Sequence, residues 1–227
     1  MILANTRGRL SAGDLQLVVL LLSQGSLARR VSAERRLAAE GPDAILDSPG
    51  LFERLLAVRS MLVPSEALFF YTLVRHALLR AQCDDRELAD YIAALLLEFG
   101  KRDRAWRVDW NDDQQHRYMI DILADLEATD SDRRFKVLAH LGNYALWLAG
   151  LFPDYIAARR VRCGGPDLSY YEQLGARGFG QASDHALADQ YGLDGVFRAA
   201  AERFPQLRQA LNQVSDRVLF SHIVERH

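Results

Sequence analysis

The sequence predicts an all-α protein, a bundle of about ten helices, and three observations carry that expectation. Helix formers dominate, with 36 Leu and 30 Ala against 23 Val, Ile and Thr together. Small and unbranched side chains lose little entropy in a helix, whereas β-branched ones favour strands. Start and stop signals for helices recur along the whole chain. No alternating apolar–polar run exceeds a few residues, so strands find no support.

The elements follow in order. Ser11 and Asp14 form a capping-box pattern before the apolar run Leu15–Leu22. Gly25 interrupts, and a second helix is expected over Leu27–Glu40, closed by Gly41-Pro42. A helical turn at Asp43–Leu46 leads to the breaker Ser48-Pro49-Gly50, and then to a helix over Leu51–Ser60. Pro64 suits the first turn of a helix over Ser65–Arg80. Asp84 and Glu87 read as a second capping box, for a helix ending at Gly100. Lys101–Asn111 lacks an apolar period and mixes charge with Trp106, Val108 and Trp110. Its indole rings want burial, so it reads as an ordered connection within one helical domain, 1–227, with packed halves 1–100 and 112–227. Further helices are expected over Asp112–Ala128 and Asp132–Leu151, with a short one after Pro153. Past the loop Cys163–Asp167, another is expected over Leu168–Gln190, stopped by Gly192. Two last helices divide near Pro205.

Composition narrows the function classes. A chain of 227 residues can bury a sizeable core. Its net charge of −2 lacks the basic excess of a nucleic-acid or anionic-membrane binder, so neither partner is expected. Lys101, Arg102, Arg104 and Arg107 alternate with Trp106 and Trp110, the ingredients of a single-strand binder. Asp103, Asp109, Asp112 and Asp113 stand among them and would repel phosphate. The longest uncharged stretch, Val137–Pro153, carries His140, Gly142 and Asn143, so a buried core helix is expected there instead of a membrane span. Arg7 and Arg9 precede an apolar run as in a signal peptide, but Asp14 abuts that run, and a soluble, cytoplasmic protein is expected. Cys83 and Cys163 share no metal-type spacing and no C-x-x-C, which fits a reducing compartment without disulfides.

Motifs for known chemistry are weak. Gly175-Ala176-Arg177-Gly178-Phe179-Gly180 is glycine-rich, but no strand precedes it and its order is not that of a dinucleotide loop. Helical spacing instead aligns Gly175, Gly178 and Ala182 on one stripe, and Gly142, Ala145 and Ala149 on another. Both stripes are expected in close helix–helix contact, with other helices or with each other. No Glu-x-x-His, H-E-x-x-H, G-x-S-x-G or phosphate-loop pattern occurs, so no metal or cofactor is expected.

One constellation stands out. Lys136, His140, Asn143, Tyr144 and Trp147 recur at steps of three and four in an otherwise apolar helix. Polar groups there need partners or water. The simpler expectation is a hydrogen-bonded core histidine beside an amide. The alternative is a pocket wall, faced by Tyr170, Tyr171, Arg177 and His185 from the later helix.

The stretch Leu141-Gly142-Asn143-Tyr144-Ala145-Leu146-Trp147-Leu148-Ala149-Gly150-Leu151-Phe152-Pro153, followed by Ser169-Tyr170-Tyr171-Glu172-Gln173-Leu174-Gly175, resembles a pattern in a family of all-helical bacterial proteins. That resemblance covers these 20 of the 227 residues, implies a bacterial source and a helical fold, and brings no activity or site residue. The leading functional expectation is therefore a non-catalytic binding or interaction protein, a regulatory role included, with a protein or small-molecule partner. The alternative is a helical-bundle enzyme, or a small-molecule or metal binder, around His140, whose imidazole suits acid–base work near neutrality. The width of the apolar run Leu15–Leu22 also raises a homodimer.

Overall fold

The computed structural model describes residues 1–58, 63–129 and 131–215. Among these it holds thirteen α-helices, two short 3-10 turns and no strand. The helices are α1 (Ala12–Ser23), α2 (Leu27–Glu40), α3 (Pro42–Leu46), α4 (Leu51–Leu56), α5 (Glu66–Arg80), α6 (Arg86–Phe99) and α7 (Met119–Ala128). They continue with α8 (Ser131–Leu151), α9 (Pro153–Cys163), α10 (Leu168–Ser183), α11 (Ala186–Gln190), α12 (Asp194–Glu202) and α13 (Phe204–Val214). The chain is all-α, and among the described residues no helix is long and apolar enough to cross a membrane.

The buried hydrophobic side chains, from Ile2 to Val214, form one connected cluster. Helix α8 runs through it. Helix α10 packs along α8, α12 covers α10, and α13 bridges α8 and α5. The two small-residue stripes meet at the α8–α10 crossing. A Cβ on Gly178 would lie 2.9 Å from the Gly142 nitrogen and 2.9 Å from the Leu138 oxygen, so backbone rests on backbone. A Cβ on Gly175 would lie 2.9 Å from Cβ of Ala145 and closer still to the Phe204 ring. Near Ala149 the helix is crossed by α13 instead. There Asn212 Nδ2 donates to the carbonyls of Ala149 at 2.9 Å and Gly150 at 2.7 Å.

Helix starts follow local capping chemistry. Ser11 and Asp14 cap α1 reciprocally, with Asp14 N donating to Ser11 Oγ at 3.1 Å and Ser11 N to Asp14 Oδ2 at 2.9 Å. Several boundaries differ from the sequence expectation. Asp85, not Asp84, caps α6 by accepting from Leu88 N at 2.9 Å. Asp84 is drawn off by the buried Arg75, at 2.5 Å. Pro64 precedes the cap, and Ser65 is the capping residue of α5. Helix α4 ends at Leu56, short of Ser60, and residues 59–62 lie outside the described ones.

Two further corrections matter for the site. The helix expected from Asp112 begins only at Met119, because 112–118 is held in irregular form by tertiary partners. Asp112 accepts from Asp109 N at 3.0 Å and from Arg133 at 3.1 Å, and His116 N donates to the Trp106 carbonyl at 2.6 Å. The helix expected over Leu168–Gln190 is two helices. Ser183 Oγ donates back to the Gly180 carbonyl at 2.7 Å, and His185 Nδ1 accepts from Leu187 N at 3.2 Å, starting α11 afresh.

Candidate functional site

The spacing 144, 147, 148 places Tyr144, Trp147 and Leu148 on one face of α8. Pro153 stands in the first turn of α9, so α8 ends at Leu151 and the chain bends at Phe152. That bend brings Phe152 against Trp147, ring centroids 4.9 Å apart, and carries Tyr155 to the same side. The irregular segment 112–118 crosses the mouth. It is pinned by Tyr144 Oη donating to the Arg117 carbonyl at 2.8 Å and by His116 Nε2 against Asp125 at 2.9 Å. It ends where Asp121 accepts from Tyr118 N at 3.0 Å.

The result is a cleft of about 320 Å³ with six rings in its walls, from Trp106, Tyr118, Tyr144, Trp147, Phe152 and Tyr155, together with Leu148 and Arg117. The Arg117 guanidinium lies over the Trp106 ring at 4.8 Å, and that of Arg159 over the Tyr118 ring at 4.6 Å. Tyr118 and Tyr155 are 48% and 51% exposed, a large aromatic area left open to solvent. Burial pushes the Tyr144 hydroxyl well above the usual phenol range, so it serves as a neutral donor.

Of the residues expected to form a site, Tyr144 and Trp147 line this cleft. His140 sits behind it, 3% exposed, with its ring 6.1 Å from that of Tyr144 and 5.8 Å from that of Phe99. Its Nε2 has no hydrogen-bond partner among the described residues. Burial, then the charges of Arg104 and His116, hold its pKa well below the ordinary value, so the ring stays neutral. A general acid or base must reach the proton it moves, and His140 does not line the cleft. Asn143 is buried and accepts from Tyr91 Oη at 2.8 Å, which is the core-amide arrangement.

The expected opposite wall is split. Tyr171 is buried and does not line the cleft, with Tyr170 packed edge-on against it at 5.8 Å. Arg177 is exposed and lines a separate dent of about 190 Å³ beside Leu141 and Leu174. His185 stacks on Phe135 at 5.2 Å and caps α11. The sequence reading did not include Arg117, Tyr118, Phe152 or Tyr155. Two signals pointed to them: the need of Trp106 for cover, and the Tyr155–Arg159 step of four on α9.

A larger open groove, about 650 Å³, runs between α1 and α2 over Leu15, Val19, Leu20 and Leu37. Its charged residues, Arg30 and Glu34, bond to each other at 2.9 Å, so no free charged group is aimed into it. Among the described residues no group of three side chains could hold a metal ion. No family model, curated protein or solved structure matches this chain. The functional reading therefore rests on the cleft alone.

Proposed function

We propose that this is a non-catalytic binding protein for a small molecule, and that the aromatic cleft between α8, α9 and the 112–118 segment is its site. The supporting observation is the six-ring wall around about 320 Å³. Ligand pockets run to roughly 300–1,000 Å³ and are mostly apolar with a few polar groups, and this cleft lies at the small end. That size suits a body of about one or two fused rings. A cytoplasmic location belongs to the same proposal, supported by the free thiols of Cys83 and exposed Cys163.

Trp106 and Trp147 report on the cleft directly. Titration with indole, naphthalene and quinoline should quench or shift tryptophan emission, with dissociation constants of about 0.1–1 mM for such small bodies. Trp147→Ala and Tyr155→Ala should each weaken binding at least fivefold while far-ultraviolet circular dichroism is unchanged. A flat response to all three compounds at millimolar concentration, or undiminished binding in both variants, overturns the proposal.

A further inference from the structure

A second compartment of about 340 Å³ adjoins the aromatic cleft and shares Tyr118 and Tyr155 with it. Its remaining walls are Ala158, Arg159, Arg162 and Cys163, all on α9. The spacing 155, 159, 162 sets Tyr155 and both guanidinium groups along one face of that helix. The two compartments thus differ in chemistry: six aromatic side chains with Arg117 line the first, and Arg159 and Arg162 line the second.

Arg117 and Arg159 are held by ring contacts, not by carboxylates. Among the described residues neither Arg117, Arg159 nor Arg162 has an acidic partner, and Arg117 donates only to the neutral side chain of Gln115, at 3.2 Å. Their neighbours are paired: Arg160 with Asp167 at 3.5 Å, Arg133 with Asp112 and Asp125 at 3.1 and 2.7 Å. Asp121, in the first turn of α7, accepts from the Tyr118 amide at 3.0 Å. Basic residues in a last helical turn also complement the helix dipole, which accounts for Arg160 and Arg162. It does not account for Arg117, which is off the helix, or for Arg159, which is folded back over the Tyr118 ring.

We propose that the ligand of this cleft is a flat aromatic acid, its ring body held among Trp106, Trp147 and Phe152 and its carboxylate met by Arg159, with Arg117 as second cation. Guanidinium forks match carboxylates in geometry as well as charge, and lose less hydration than an ammonium on doing so. The inference rests on the cleft being a ligand site and adds the class of ligand.

The test compares naphthalene-2-carboxylate with naphthalene-2-carboxamide on the full chain, followed by tryptophan emission. The acid should bind at least tenfold more tightly than the amide, and that preference should shrink as sodium chloride rises. In Arg117→Gln/Arg159→Gln the preference should vanish, the acid then binding no more tightly than the amide in the same variant. Equal affinities, a tighter amide, or a preference that survives in the double variant overturns the anionic head group and leaves the aromatic cleft standing. If neither compound binds, the cleft itself is not a ligand site and both proposals fail.

Discussion

Gly178 and Gly180 lie two residues apart on α10 and should answer alanine in opposite ways. A helical glycine costs up to about 1 kcal/mol relative to alanine, so replacement in open space is a gain. At Gly180 a new Cβ meets nothing nearer than Ala201 at 3.8 Å, and Gly180→Ala should stabilise by about 0.5–1 kcal/mol. At Gly178 the new atom meets the backbone of Gly142 and Leu138 at 2.9 Å, which cannot yield as a side-chain tip can. Gly178→Ala should therefore destabilise by about 1–3 kcal/mol in urea unfolding, and equal midpoints for the two variants would contradict the tight crossing. His140 supports a second prediction at this scale. Its folded pKa is depressed from 6.5 while the unfolded chain titrates normally, so protons favour unfolding. The stability tied to a neutral His140 is complete above pH 6.5 and declines as pH falls, by up to about 1.4 kcal/mol per unit. His76, also depressed by burial, adds to the same slope. His140→Gln should flatten the pH 7 to 5 stability slope by about 1 kcal/mol per unit, and an unchanged slope would show that His140 is not buried neutral. Which residue types would be special was legible in the sequence: a polar pair in an apolar helix, and glycines at helical spacing. Their fates were not, because Asn143 found Tyr91 while His140 Nε2 found no hydrogen-bond partner among the described residues, and both depend on helices far away in the chain.

At the scale of elements, Asp47 ties three helices. It ends α3 and accepts from Arg75 of α5 at 2.8 and 2.9 Å and from Arg86 of α6 at 2.7 Å. Arg75 is 1% exposed, and stranding it without Asp47 leaves a buried cation with Asp84 as its remaining acid. Removing one partner of a buried pair costs about 3–5 kcal/mol; the retained Asp84 should hold Asp47→Ala to about 2–3. Adding Arg75→Met should recover much of that loss by removing the charge itself, and a double variant no better than the single one would deny the stranded-cation account. Most helices were legible because their start and stop signals are local, as at Ser11 before α1 and Gly41 after α2. Boundaries drifted where the acid expected to open a helix had a tertiary claim on it. Asp84 went to Arg75, and Asp112 went to Arg133, so α6 is capped one residue later and α7 starts seven residues later than periodicity suggests.

For the whole molecule, the continuous core predicts one cooperative transition. Side chains from Ile2 to Val214 share a single cluster, and α13 joins α5 of the first half to α8 of the second. No Trp lies in residues 1–100: Trp106 and Trp110 stand in the connection and Trp147 in the second half, whereas circular dichroism reads helices throughout. Urea unfolding followed by both probes should give coincident midpoints; a circular dichroism transition at lower urea than the fluorescence one would mean that the first half melts separately. The sequence alone determined the all-α class, the count and order of the main helices, and the existence of two glycine stripes, since propensity, capping and periodicity act within a few residues. Only the tertiary structure decided that the stripes cross each other and that Tyr144 and Trp147 face outward into a cleft while His140 faces inward. It also decided that Arg117, Tyr118 and Tyr155 complete that cleft. The reason is one of range: a cleft is made of what the bend at Pro153 and the pinned 112–118 segment bring together, and those contacts join residues tens of positions apart, where no local pattern reaches.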